Sequence, residues 1–181
     1  MKQQVFNPYL PSWEYIPDGE PHVFGDRVYI YGSHDRYGGT DFCNYKLKVW
    51  SAPLNDLNNW VCHGHSFHTR PDTDHPSSVP HTDHALFAPD VVEKDGKYYL
   101  FVKSEGNPHR MIELVSDHVT GPWTRVEAFD KSMETVQAGM YEAPTAVRFE
   151  DGRWGLFIDY YGVKGAGQGY VPFIAPSMAS G

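Results

Sequence analysis

Ala88-Pro89-Asp90-Val91-Val92-Glu93-Lys94-Asp95-Gly96-Lys97-Tyr98-Tyr99-Leu100-Phe101 reads as a hairpin. A short apolar run meets a tight Asp-Gly turn, and a second run rich in aromatic and aliphatic residues follows. Asp-Gly supplies the positive φ that a two-residue hairpin turn requires. The unit occurs twice more. Glu20-Pro21-His22-Val23-Phe24-Gly25-Asp26-Arg27-Val28-Tyr29-Ile30-Tyr31 turns at Gly25-Asp26, and Glu142-Ala143-Pro144-Thr145-Ala146-Val147-Arg148-Phe149-Glu150-Asp151-Gly152-Arg153-Trp154 turns at Asp151-Gly152. The turn aspartates lie 69 positions apart (95 − 26) and then 56 apart (151 − 95). Strand-filled repeats of this kind predict propeller blades. A propeller gathers the first strand of every blade around one central pocket, so carboxylates on those strands would converge there.

The bulk composition agrees. The chain has 181 residues, 40% of them hydrophobic and 15% aromatic, which is enough for one domain or part of a larger one. Tyr, Phe, Val, Trp, Gly and Pro are plentiful and no helical period is evident. The expectation is an all-β chain of about three blades, each a four-stranded antiparallel sheet, with units at about 13–75, 84–130 and 136–181. A net charge of −8 argues against a nucleic-acid surface and suits a neutral or cationic small partner. No apolar run is long enough for a membrane-spanning helix. The opening Met1-Lys2-Gln3-Gln4-Val5-Phe6-Asn7-Pro8 lacks the apolar core of a signal peptide, so the chain is expected to be cytoplasmic or to have had its leader removed, with the first favoured. Cys43 and Cys62 are expected as two reduced thiols.

Residues 1–17 read as a lead-in rich in Pro and aromatic residues. Trp60 is expected to pack between neighbouring sheets. Residues 63–84 read as a polar loop carrying six histidines and three aspartates; the spacing matches no helical zinc motif, and no metal site is expected there. The Gly-rich stretch 163–169 reads as a hairpin loop, without the ending of a phosphate loop.

The acids at the strand starts carry the chemistry. Asp18 and Glu20 share one face if the chain is extended there, and Gly19 between them lets a ligand approach the backbone. Asp90 follows Pro89 at a strand start, and Glu142 stands two residues before Pro144 in the same kind of place. Converging carboxylates suit glycosidic bond hydrolysis. One protonated carboxyl gives its proton to the leaving oxygen, and a second, ionised, activates water from the opposite face. A third negative charge nearby raises the pKa of the acid. Trp13, Tyr15, Phe87 and Tyr141 flank the acids as candidate sugar-stacking residues, and His34 is a further pocket candidate.

At these residues the chain resembles the family 43 glycoside hydrolases, the five-bladed β-propeller arabinosidases, xylosidases and arabinanases. Asn7-Pro8-Tyr9-Leu10-Pro11 with Tyr15-Ile16-Pro17-Asp18-Gly19-Glu20-Pro21 is similar to that family's opening. Tyr31-Gly32-Ser33-His34-Asp35 resembles its next strand, and Ala88-Pro89-Asp90-Val91 with Asp95-Gly96-Lys97-Tyr98-Tyr99 its blade start. Val115-Ser116-Asp117 with Gly121-Pro122-Trp123 is similar to its blade closure, and Glu142-Ala143-Pro144-Thr145 to the strand that carries the general acid. The resemblance implies an inverting hydrolase of arabinose- or xylose-containing oligo- or polysaccharides. Glu142 would be the general acid and Asp90 the third carboxylate. For the general base, residue type favours Asp18, and register to the following strand favours Glu20. No cofactor is required, and a structural calcium ion is compatible with the family. A carbohydrate-binding remnant without turnover is the alternative. A closed five-bladed ring needs a longer chain than this one. About one blade is expected to be missing between Phe101 and Ser104, and open blade edges would favour self-association.

Overall fold

A computed structural model describes residues 8–40, 43–70, 84–104, 110–126, 140–161 and 169–173. Every regular element among them is a strand, and the strands form three antiparallel sheets. The first blade runs outward in the order β1 (Glu20–Phe24), β2 (Arg27–Gly32), β3 (Lys46–Pro53) and β4 (Val61–His68). The second follows as β5 (Leu86–Lys94), β6 (Lys97–Ser104), β7 (Arg110–Ser116) and β8 (Thr124–Arg125). The third contains β9 (Met140–Arg148), β10 (Trp154–Tyr161) and β11 (Gly169–Phe173), with β10 in the middle. The Gly-rich stretch between β10 and β11 lies outside the described residues, apart from Gly169. The repeat read from the sequence is thus a blade repeat.

The turns follow their residues. Asp95 and Gly96 both take positive φ, 52° and 75°, and close β5 onto β6 with Lys94 opposite Lys97. The third hairpin departs from the two-residue expectation. Phe149 N–H donates to Arg153 O at 2.8 Å, so the turn holds Glu150, Asp151 and Gly152, with Gly152 at φ 83°.

Alternating side chains build two cores. Tyr29, Tyr31, Leu47, Val49 and Phe67 of the first blade pack with Leu86, Val91, Leu100, Ile112, Leu114 and Trp123 of the second. Val92, Phe101 and Met111 of the second pack with Leu156 and Ile158 of the third. Each fully buried aliphatic or aromatic side chain contributes about 1.5–3 kcal/mol.

The other face of the first blade is covered by the lead-in. Tyr9 lies 5.2 Å from Trp60 and Trp13 6.1 Å from Trp50, centroid to centroid. A Cβ on Gly32 would stand 2.9 Å from Pro17 O and collide with Ile16, so glycine permits this close crossing. Trp60 therefore serves the lead-in rather than a gap between sheets. Its indole N–H donates to Leu57 O at 2.8 Å. Trp123 is the tryptophan buried between blades.

One other expectation is corrected. The histidine-rich stretch does not begin as a loop. β4 continues to His68, because the eight-residue β3 offers partners from Ser51, opposite Val61, to Lys46, opposite His68. His63, His65 and His68 are strand residues, and 71–83 lie outside the described part. The second blade runs unbroken across 101–104. β6 pairs with β7 residue by residue from Tyr98 opposite Ser116 to Ser104 opposite Arg110.

Candidate active site

The three inner strands start alike. Asp18, Ala88 and Ala143 each stand six residues before Phe24, Lys94 and Phe149, the residues that lead into the turns (24 − 18, 94 − 88, 149 − 143). All three take positive φ, at 54°, 39° and 43°. Side chains other than glycine pay about 1–2 kcal/mol for that conformation, and such strain collects at functional sites. In β5 and β9 a bulge follows. Phe87 opposes Lys103 but Asp90 opposes Phe101, and Glu142 opposes Asp159 but Thr145 opposes Phe157. Glu20, Asp90 and Thr145 therefore share one place in the blade, and Pro17, Phe87 and Glu142 another. The acids do not occupy identical positions, as the sequence suggested. Relative to the place of Asp18, Glu142 is one residue earlier and Asp90 two later.

Asp18 is held from the neighbouring strand end. The fully buried Ser33 hydroxyl donates to Asp18 Oδ2 at 3.4 Å and accepts Ala88 N–H at 2.8 Å. One hydroxyl thus links the starts of two blades. The Cys43 thiol also faces Ser33. Burial first, with the charges of Asp35 and Asp18 adding, pushes its pKa up to about 11, so it stays protonated at neutral pH. Both cysteines are free thiols. Ser33→Ala should destabilise the protein by about 1–2 kcal/mol in urea unfolding, because the Ala88 N–H loses its acceptor. An unchanged midpoint would show that the N–H finds another.

Asp90 is nearly buried, at 3% exposure. Its Oδ2 accepts Ala146 N–H from the third blade at 2.7 Å, and its Oδ1 accepts Val91 N–H at 2.8 Å. His22 Nε2 of the first blade lies 2.8 Å from Oδ1, close but not aligned as a hydrogen bond. This carboxylate joins all three inner strands. Glu20 is exposed at the start of β1, and no hydrogen bond to its side chain occurs among the described residues. The side chains of Tyr141 and Glu142 lie outside the described part; their backbones place them on β9, opposite Tyr160 and Asp159.

Glu14 is absent from the sequence-based candidates, yet it anchors the lead-in. Its side chain is 1% exposed. Oε1 accepts His34 Nε2 at 2.9 Å; Oε2 accepts Lys48 Nζ and Trp50 Nε1, each at 3.0 Å. His34, expected as a pocket residue, belongs to this cluster, with its Nδ1 buried and unpaired. Burial alone would raise the Glu14 pKa, but Lys48, Trp50 and His34 outweigh it and hold it below 4.5. Burial, aided by Lys48, holds His34 below 6.5 against the pull of Glu14. Both folded-state values lie below the unfolded ones, so the unfolded chain binds more protons and stability falls on acidification. The His34 contribution is present above pH 6.5 and fades below it; that of Glu14 fades below 4.5. Melting temperature should therefore drop with pH in two stages, and Glu14→Gln should remove the lower one. The one available sequence signal was a lone acid between Trp13 and Tyr15.

The aromatic candidates divide. Trp13, 60% exposed, lies against Trp50 and under Lys48 Nζ, 5.7 Å from its centroid. Phe87 carries Lys103 Nζ 4.6 Å from its centroid. Tyr15 is 41% exposed beside Tyr37, with ring centroids 6.0 Å apart. Among the described residues no three His, Cys, Asp or Glu side chains are grouped to hold a metal ion.

The chain has counterparts among known proteins. Residues 14–167 match the sequence model of Glycosyl hydrolases family 43. The chain belongs to this family. A xylosidase/arabinosidase of Thermoclostridium stercorarium is 44% identical over 153 residues, which cover 84% of this chain and 28% of the relative. Another, from Bacteroides ovatus, is 31% identical over 166 residues, 87% of this chain and 46% of the relative. The chain thus spans less than half the length of these relatives. Among solved structures, a family 43 β-xylosidase/α-arabinofuranosidase from a compost metagenome, in its calcium-free form with xylotriose, superposes with a TM-score of 0.63 at 25% identity, covering 85% of this chain and 45% of the other. A family member from Xanthomonas citri complexed with xylose gives 0.61 at 23% identity, over 80% of this chain and 40% of that one.

Proposed function

We propose that the inner-strand starts form the acid–base site of an inverting hydrolase acting on arabinose- or xylose-containing glycans. The observation that carries this reading is the Asp18 carboxylate bonded to Ser33 at a strained strand start, with Asp90 in the next blade. Glu142 acts as the general acid and protonates the leaving glycosidic oxygen. Asp18 acts as the general base and takes a proton from water on the opposite face of the sugar. An inverting pair stands about 6.5–9.5 Å apart to admit that water. The contact with Ser33 supports Asp18 over the unbonded Glu20. Asp90 supplies a fixed negative charge and holds the inner strands together. The names of the relatives support the pentose class.

The test is hydrolysis of aryl β-D-xyloside and aryl α-L-arabinofuranoside by the purified chain, with the first-formed anomer read by proton NMR. Release of α-xylose from the β-xyloside is expected; β-xylose would sink the inverting mechanism. A second reading, sugar binding without turnover, draws on the chain's short span relative to its relatives. Xylose binding with no product would select it.

A further inference from the structure

Gly32, Ser33, His34 and Asp35 run past the segment that delivers Asp18, and each grips it differently. Gly32 lets it cross; a Cβ there would stand 2.3 Å from Ile16 Cγ2 and 2.9 Å from Pro17 O. Ser33 Oγ donates to Asp18 Oδ2 at 3.4 Å, His34 Nε2 bonds Glu14 Oε1 at 2.9 Å, and Asp35 N–H donates to Tyr15 O at 3.0 Å. The far end of this grip is charged. Glu14 stands four residues before Asp18 (18 − 14). Its carboxylate oxygens meet donors from His34 and from Lys48 and Trp50 of β3. A buried carboxylate so surrounded is fixed in place, because moving it would leave charge and donors unpaired away from water. Asp18 needs such an anchor. Its φ of 54° persists only where the surroundings impose it. The Ser33 contact alone is a weak restraint, since bonds between oxygens usually span about 2.5–3.0 Å.

We propose that Glu14 is a positioning residue for the candidate base: it fixes the lead-in so that the Asp18 carboxylate stays where it takes a proton from water. The role in the reaction rests on the reading of Asp18 as the base; the placement of Asp18 by Glu14 does not. Glu14 is buried and reaches no substrate. It acts through the backbone of Tyr15, Ile16 and Pro17, which Asp35 and Gly32 keep in register. Pro17 stiffens that path, since its ring fixes φ. Length therefore matters more than charge. A side chain one methylene shorter must draw the lead-in toward β3 or give up its donors, and either displaces Asp18.

The test compares Glu14→Asp, Glu14→Gln and Tyr9→Ala in the whole chain. Glu14→Asp keeps the charge beside Lys48 but is too short. It should lower kcat on nitrophenyl xyloside about 10²-fold, the cost of a displacement of about 1 Å, with KM unchanged. Glu14→Gln keeps the length; its oxygen can still accept Lys48 and Trp50 while its amide faces His34, so kcat should stay near the wild-type value. Tyr9→Ala removes the contact with Trp60 elsewhere in the lead-in and should lower the melting temperature without lowering kcat. Combined with Asp18→Asn, Glu14→Asp should add no further loss, because it acts through Asp18. An unaffected Glu14→Asp, a Glu14→Gln slower than Glu14→Asp, an equal loss in Tyr9→Ala or a further loss beside Asp18→Asn would each overturn the proposal. The carboxyl carbon resonance of Asp18, assigned by its disappearance in Asp18→Asn, reads the placement without turnover. It should shift in Glu14→Asp and hold in Glu14→Gln and Tyr9→Ala; a resonance unmoved by Glu14→Asp overturns the placement itself. If Asp18→Asn leaves hydrolysis intact while the resonance behaves as expected, the reading of Asp18 as the base fails and the placement by Glu14 stands.

Discussion

Glu142→Gln is expected to lower kcat by about 10²–10⁴-fold on an unactivated xylo-oligosaccharide, the usual worth of a positioned general acid. The loss should be much smaller on a nitrophenyl xyloside. A nitrophenolate leaves without a proton, so the acid matters little there, whereas a sugar alkoxide needs one. Asp18→Asn removes the base instead. Water must be deprotonated whatever the leaving group, so both substrates should slow alike, again by about 10²–10⁴-fold. Asn can still accept the Ser33 hydroxyl bond, which preserves the strand start. The contrast between the two variants assigns the roles without any need to see the bound sugar. If Glu20→Gln slows both substrates and Asp18→Asn does not, the base is Glu20. If Glu142→Gln is silent on both, the acid lies elsewhere.

The legibility of this arrangement in the sequence followed the range of each interaction. Hairpins were visible because Asp95-Gly96 fixes backbone angles locally and apolar residues alternate on either side. The bulges at Ala88 and Ala143 were not, since a positive φ at alanine contradicts local preference and is imposed by the neighbouring strands. The unequal places of the acids were in the spacing itself: Asp18, Asp90 and Glu142 stand six, four and seven residues before Phe24, Lys94 and Phe149 (24 − 18, 94 − 90, 149 − 142). Glu14 was hidden for a related reason. Its partners His34, Lys48 and Trp50 lie 20 to 36 residues away, and near Glu14 itself only the flanking Trp13 and Tyr15 hint at burial. The length of β4 was likewise decided by its partner β3, since histidines are poor indicators of strand.

Asp90→Ala is expected to destabilise the protein by about 2–6 kcal/mol, because a buried acceptor shared by two backbone N–H groups is lost. Two backbone N–H groups, of Val91 and Ala146, would lose their acceptor, each at about 1–3 kcal/mol if left unpaired. His22 would lose its facing carboxylate. Against the roughly 5–15 kcal/mol that hold a typical domain together, this is a large share. Asp90→Asn should do less harm, because its carbonyl oxygen can still accept Ala146 N–H. Urea unfolding of the two variants reads the difference. If Asp90→Asn and Asp90→Ala are equally stable, the contact to Ala146 is not what unites the second and third blades. If Asp90→Asn folds well yet loses hydrolysis, the negative charge itself serves the reaction. The same residue would then both hold the inner strands together and set the field in which Glu142 keeps its proton.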